Sequence, residues 1–158
     1  MDIEKSSADI RIWPPMVYIG TLFAGWLIDR FSWWHLVIPL PHFLERMVAG
    51  LALVLGFGIM MTAIGLFKKA GTESEPWKRV SALVTDGVYR WTRNPMYLGM
   101  TLIYLGFAIY MDSLITLLLI VPVTFWITRN VIEKEEAFMT ARFGSEYLAY
   151  RERVGRWF

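Results

Sequence analysis

MVAGLALVLGFGIMMTAIGLF, residues 47–67, runs for 21 residues without a charge. As a helix rising 1.5 Å per residue it reaches about 31 Å, enough to cross the hydrocarbon core of a bilayer. Arg46 precedes it, and Lys68 and Lys69 close it. Three shorter apolar blocks, 12–28, 96–111 and 114–128, repeat its character on either side. Together the four blocks predict an all-α integral membrane protein with about four transmembrane helices, forming a single domain over 1–158.

The punctuation between the blocks sets their order in space. Asp29 and Arg30 close the first block, whose Pro14 and Pro15 fall in its first turn, where a missing N–H does little harm. Gly20 with Ala24, and Ala52 with Gly56, are candidate seams for close helix approach. The glycines at 50, 56, 58 and 65 serve either such contacts or a groove for a lipid chain. Asp112 and Ser113 divide the last two blocks into a tight hairpin. One continuous helix there would strand Asp112 at the bilayer centre.

Residues 31–43 form a connector in which Trp33 and Trp34 read as interfacial anchors and Pro39 and Pro41 forbid a continuous helix. Its His35 and His42 are the only histidines. They lie seven apart across prolines with no carboxylate at ligand spacing, so they read as surface loop and no metal site is expected. Residues 70–79 read as a polar loop. Past Thr128 the last helix continues into water and stops at Gly144. Glu135 and Glu136 then stand about 10–12 Å beyond the last apolar residue. Residues 145–158 read as an amphipathic tail helix, with Tyr147, Tyr150 and Val154 on one face and Arg151, Glu152 and Arg156 toward water or headgroups.

Bulk properties limit the function classes. The chain is 56% hydrophobic and 19% charged, with a mean hydropathy of +0.42. A net charge of +2 without a basic run gives no argument for nucleic acid. The absence of Cys removes disulfides, thiolate metal sites and a thiol nucleophile. The mixed-charge lead over 1–11 does not read as a cleavable signal. In a four-span topology one face collects 14 of the Lys and Arg residues and the other only Arg30 and Arg46. Both termini and the 68–93 loop are therefore expected in the cytoplasm.

The polar stretch LVTDGVYRWTRNPMYLG, residues 83–99, lies on that richer face and runs directly into an apolar helix. Arg90 and Arg93 share a face if the segment is helical, and Pro95 predicts a helix restart. Freed N–H groups beside two guanidiniums suit an anionic ligand, although an interfacial anchor has the same composition. The topology brings Arg90, Arg93, Asn94 and Tyr97 opposite Glu135, Glu136 and Tyr147. Adjacent glutamates sit about 100° apart on a helix, so one of them points into the cleft. Arg93 and Glu136 are candidates either for chemistry or for a purely structural ion pair.

Thr85 to Arg90 followed by Arg93 to Gly99 resembles the signature of the isoprenylcysteine carboxyl methyltransferase family. A second block matches in order: Glu135, Glu136, Phe143, Gly144, Glu146, Tyr147, Tyr150 and Val154. The likeness spans roughly residues 71–156, including the Gly71-Thr72 pair. It implies a prokaryotic enzyme of the bacterial or archaeal cell membrane that uses S-adenosylmethionine. The cofactor would be held by Gly87, Tyr89, Asn94, Pro95, Tyr97, Gly99, Glu135 and Glu136. Arg90, Tyr147 and Tyr150 would contact the substrate, and Arg93 and Glu136 would be catalytic.

Methyl transfer is an in-line displacement that depends on positioning. A carboxylate acceptor needs only orientation, by Arg93 or Arg90, whereas an amine acceptor needs a base such as Glu136. Asn94 stands where the eukaryotic enzymes carry histidine, so no imidazole role transfers. The expected acceptor is a lipid or isoprenoid-like molecule entering from the bilayer. Two other readings stay open. One is an NADPH-dependent, sterol-reductase-like enzyme with Lys78, Arg79, Arg151 and Arg153 available for the 2′-phosphate. The other is a non-catalytic membrane interaction protein.

Overall fold

The computed structural model describes residues 13–33, 36–71 and 81–158. They form helices α1 (Pro14–Phe31), α2 (His42–Lys69), α3 (Pro95–Tyr110), α4 (Leu114–Leu118), α5 (Ile120–Ile127), α6 (Glu133–Phe143) and α7 (Ser145–Arg153). A 3-10 turn at Gly87–Arg90 precedes α3, and a π turn at Thr128–Ile132 joins α5 to α6. No strand occurs among the described residues.

Proline writes most of the boundaries. α1 opens on Pro14 and Pro15, α2 begins directly after Pro41, and α3 begins at Pro95 behind a non-helical Asn94. Pro122 lacks the N–H that would reach the Leu118 carbonyl, and its ring crowds that group, which accounts for α4 ending at Leu118. Ser113 caps α4 by accepting the Thr116 N–H at 3.0 Å. Gly144, at φ +55°, breaks α6 from α7.

α2 and the run Leu114–Phe143 are long and apolar enough to cross a membrane, and α3 is a shorter apolar helix. The apolar part of the second run ends at Ile132, and α6, with four charges in its first turn, projects beyond it. Large apolar side chains stand exposed along the helices: Met16, Ile19 and Phe23 on α1, Leu51, Val54 and Met61 on α2, Val121 and Phe125 on α5. Water would not tolerate that surface, whereas lipid solvates it, and the chain is an integral membrane protein.

α2 and α3 make the closest crossing. A Cβ on Gly56 would lie 2.8 Å from the Gly99 carbonyl oxygen, and one on Gly99 equally close to that of Gly56. Further along, Gly106 meets Leu53 and the Ala49 carbonyl. Ala49, Gly56 and Ala63, spaced by seven, are the buried stripe of α2. Thus Gly56 belongs to the seam, but with Ala49 and Ala63 rather than Ala52. Gly50, Gly58 and Gly65 meet nothing within 4 Å. On α1 both Gly20 and Ala24 are exposed, and Gly25, one residue on, packs against Thr116.

Two buried clusters stack along the bundle. Tyr18, Tyr97, Tyr104, Ala108, Val123, Ile127, Val131 and Ile132 tie α1, α3, α5 and the π turn together. Ala63, Tyr89, Tyr147 and Tyr150 join the C-terminal end of α2 to the 3-10 turn and α7. The tail helix stops at Arg153, short of the expected 158, and the residues after it fold back onto the loop before α3. At the opposite end of α2, His42 does have a carboxylate partner: its Nδ1 lies 2.8 Å from Glu45. His35, Trp34 and Thr72 lie outside the described residues.

The crossing gives a paired test. Gly56→Ala and Gly99→Ala should each lower stability by about 1–3 kcal/mol through overpacking, read as a lower unfolding midpoint in detergent. Gly58→Ala, facing open space, should leave the midpoint unchanged or slightly raised.

Candidate functional site

The loop before α3 is shaped by backbone requirements first. Gly87 adopts φ +60°, and a Cβ there would lie 2.8 Å from Leu66, so α2 packs against a position suited only to glycine. The turn it opens buries Tyr89 edge-on to Phe67 at 5.5 Å. Tyr150 of α7 donates its hydroxyl to the Tyr89 carbonyl at 2.7 Å. Arg90 then lies exposed and pairs with Asp86 at 2.9 Å. Because the 3-10 turn ends there, the two arginines of the loop do not share a face.

Arg93 runs inward. Its Nη2 donates to Glu136 Oε1 at 2.8 Å and its Nη1 to the Arg151 carbonyl at 3.1 Å, with both members of the ion pair 9% exposed. Glu136 is held from its other side by Arg156, whose Nη2 donates to Oε2 at 2.7 Å and whose Nε donates to Oε1 at 3.1 Å. Arg156 also reaches Glu133 at 3.4 Å. Its carbonyl accepts from Thr92 Oγ1 at 3.1 Å and from Asn94 Nδ2 at 3.0 Å, while the Arg93 N–H bonds the Gly155 carbonyl at 3.0 Å. The hydrogen bonds to Glu136 hold the Arg156 guanidinium above its ordinary value.

Glu135 turns elsewhere, as its 100° offset requires. Its Oε1 accepts the Tyr97 hydroxyl at 2.7 Å. Burial pushes its carboxyl up to about 7; the Tyr97 bond opposes the shift and the neighbouring Glu136 charge adds to it. Burial also raises Tyr89 well above the usual phenol range, with Tyr150 and Glu135 adding to it, and lifts Tyr147 to about 12. Tyr89 Oη and Arg93 Nε are buried without a hydrogen-bond partner. Such groups are costly to leave unmet, which makes both of them candidate positions for a ligand.

Beside Arg156 lies a groove of about 380 Å³. Val121 and Phe125 form its apolar end, and Arg129, Glu133 and Arg156 its charged end, with Thr124 and Thr128 between. The structure therefore brings together Tyr89, Arg93, Asn94, Pro95, Tyr97, Glu135, Glu136, Tyr147 and Tyr150 at one end of the bundle. Gly99 lies instead in the α2–α3 crossing, and Gly87 under Leu66. Thr92 and Glu133 were not expected at the site, and Arg156, expected to face water or headgroups, turns inward to Glu136 instead. Only a Gly-Arg pair after the last helix marks Arg156, a weak signal. Lys78 and Arg79 lie outside the described residues.

The fold and this Arg–Glu cluster describe a helical membrane protein whose polar chemistry is gathered at one end of its bundle. Residues 44–146 match the model of the phospholipid methyltransferase family, and the chain belongs to that family. It is similar to protein-S-isoprenylcysteine O-methyltransferase of Schizosaccharomyces pombe, 35% identical over 46% of this chain and 30% of that protein. The Rattus norvegicus protein of the same name is 31% identical over 67% of this chain and 38% of its own length. An uncharacterized protein of Haemophilus influenzae is 31% identical over 39% of this chain and 98% of its own. The chain thus spans about a third of the length of the named relatives it matches.

Glu135 carries a pH prediction. Its folded value of about 7 lies above its ordinary value, so its neutral form stabilises the fold at low pH. That contribution is lost as pH rises from about 4.5 to 7. Glu135→Gln keeps an acceptor for Tyr97. It should match the native unfolding midpoint near pH 5 and exceed it by several degrees at pH 8. Parallel curves would remove burial as the cause.

Proposed function

We propose that the chain is an S-adenosylmethionine-dependent methyltransferase acting on a lipid or isoprenoid-like acceptor. We place its site at the cytoplasmic end of a four-span bundle formed by α1, α2, α3 and the run from α4 through α5, with both termini on that side. The observation that carries the reading is the cluster itself. Loop residues 92–97 meet Glu135 and Glu136 of α6 around two buried polar atoms with no partner. Membership of a methyltransferase family supports the choice of reaction, and the 14-to-2 distribution of basic residues supports the orientation.

The residues fit the implied cofactor. Glu135 supplies negative charge for its cationic centres, and Tyr89 and Tyr147 supply aromatic faces. S-adenosylmethionine, when bound, supplies a methyl group on a sulfonium. The protein's task is then to bind, orient and exclude water. Arg93 is fixed by Glu136 and by the Arg151 carbonyl, leaving Nε to meet an anionic oxygen of the acceptor. Both Glu136 oxygens are engaged by guanidiniums, so its strongest role is to position Arg93 and Arg156. Where the acceptor must lose a proton, Glu135, poised near neutrality, is the better-matched base. The apolar end of the groove along α5 suits the acceptor's hydrocarbon chain, with its head toward Arg129 and Arg156.

Thermal-shift titration of detergent-purified protein with S-adenosylmethionine, S-adenosylhomocysteine and NADPH tests the reading. Both sulfur compounds should raise the unfolding midpoint by mass action, and NADPH should not. Glu135→Gln should weaken S-adenosylmethionine about tenfold more than the uncharged thioether, the loss of one favourable charge contact worth about 1.4 kcal/mol. A response to NADPH alone would instead favour a reductase, and no response to any of the three a non-catalytic role.

A further inference from the structure

The opposite end of the bundle carries its own cluster. His42 and Glu45 occupy the first turn of α2, three apart and therefore on one face. Asp112 sits in the turn between α3 and α4, seventy residues further on. One ligand atom from each of the three lies within 4.8 Å of the other two. From this geometry we propose that His42, Glu45 and Asp112 form a binding site for one divalent transition-metal ion, of the zinc type, independent of the methyltransferase reading.

The burial pattern argues for a ligand rather than a chance grouping. The Glu45 side chain is 3% exposed, and its Oε2 lies 2.8 Å from His42 Nδ1. Its Oε1 is buried with no hydrogen-bond partner. A buried carboxylate with one oxygen unmet is costly unless a cation satisfies it. The neighbouring cation, Arg46, is turned to Tyr110: it donates to that residue's carbonyl at 3.1 Å and lies 4.2 Å from the ring centroid. His42, by contrast, is 85% exposed, which gives an ion a route in from solvent.

Asp112 is held in place at some cost. It adopts φ +51°, a conformation uncommon for a residue with a side chain, and its Oδ1 accepts the Ile38 N–H at 2.8 Å. That bond aims the carboxylate at the connector and at the start of α2. Zinc bonds of about 2.0–2.2 Å place any two ligand atoms no more than about 4.4 Å apart, so small side-chain rotations close the triad. One imidazole and two carboxylates suit zinc-like ions, whereas magnesium and calcium favour all-oxygen sets. Three protein ligands leave at least one position for water. Binding would replace the proton shared by His42 and Glu45 and cross-link α2 to the α3–α4 turn.

The test uses full-length protein in detergent, freed of any affinity tag and of metal by chelation, then exposed to Zn²⁺ or Mg²⁺. After gel filtration the native chain should retain about one zinc and show an unfolding midpoint several degrees higher, with no response to magnesium. His42→Ala removes an exposed ligand, and Asp112→Asn keeps an acceptor for Ile38, so both should fold. Each should weaken zinc by about a hundredfold or more, beyond what loss of an outer-shell partner costs. Failure of the native chain to retain zinc, or native-like retention by both variants, would overturn the site.

Discussion

A carboxylate held between two guanidiniums organises the polar end of this protein. Glu136 is almost wholly buried, with Arg93 on one side and Arg156 on the other. A buried ion pair contributes little net stability against an apolar replacement, yet losing one partner costs about 3–5 kcal/mol because the other charge is left alone. The contact therefore works as a constraint. It fixes α6, the loop at 92–94 and the segment after α7 relative to one another. The carbonyl bonds from Thr92 and Asn94 to Arg156 tighten the same join.

The rest of the bundle sets where that join can form. α2 and α3 approach to backbone contact at Gly56 and Gly99. Small residues achieve this in lipid, where apolar side chains gain nothing by leaving the solvent. The loop between α2 and α3 is thereby returned beside α2, with Leu66 over Gly87 and Phe67 against Tyr89. At the far end the same pairing brings Arg46 onto Tyr110 and Asp112 near His42. One helix crossing thus builds two polar clusters, separated by the length of α2.

Much of this was legible in the sequence because membranes simplify the code. Long uncharged blocks gave the helices, Pro95 gave the start of α3, and Gly144 gave the end of α6. The meeting of the loop with Glu135 and Glu136 followed from topology, and their divergence from the helical period. What escaped depended on single contacts. Arg156 follows a helix that ends three residues earlier, and nothing in its neighbourhood announces that it turns back to Glu136. The choice of Ala49 and Ala63 over Ala52 as partners of Gly56 depends on the rotation of α2. Arg90 left the site because its turn ends at that residue, so Arg93, three further on, is not on the same helix. His42 was assigned to the connector, whereas α2 begins at that residue and sets Glu45, three residues on, beside it; Asp112 joins them only through the fold.

The chemistry follows from the same restraint. With Glu136 committed to two arginines, the freer groups are Glu135, Tyr89 and the remaining N–H of Arg93. A double-mutant cycle across Arg93 and Glu136 is the most direct measurement of this account. The unfolding free energies of Arg93→Met, Glu136→Gln and the double variant would be read in one detergent. Direct contact predicts a coupling of about 1–3 kcal/mol, with the double variant much less destabilised than the sum of the singles. Additivity to within about 0.5 kcal/mol would mean that the loop and α6 are not joined there, and the central contact would fall.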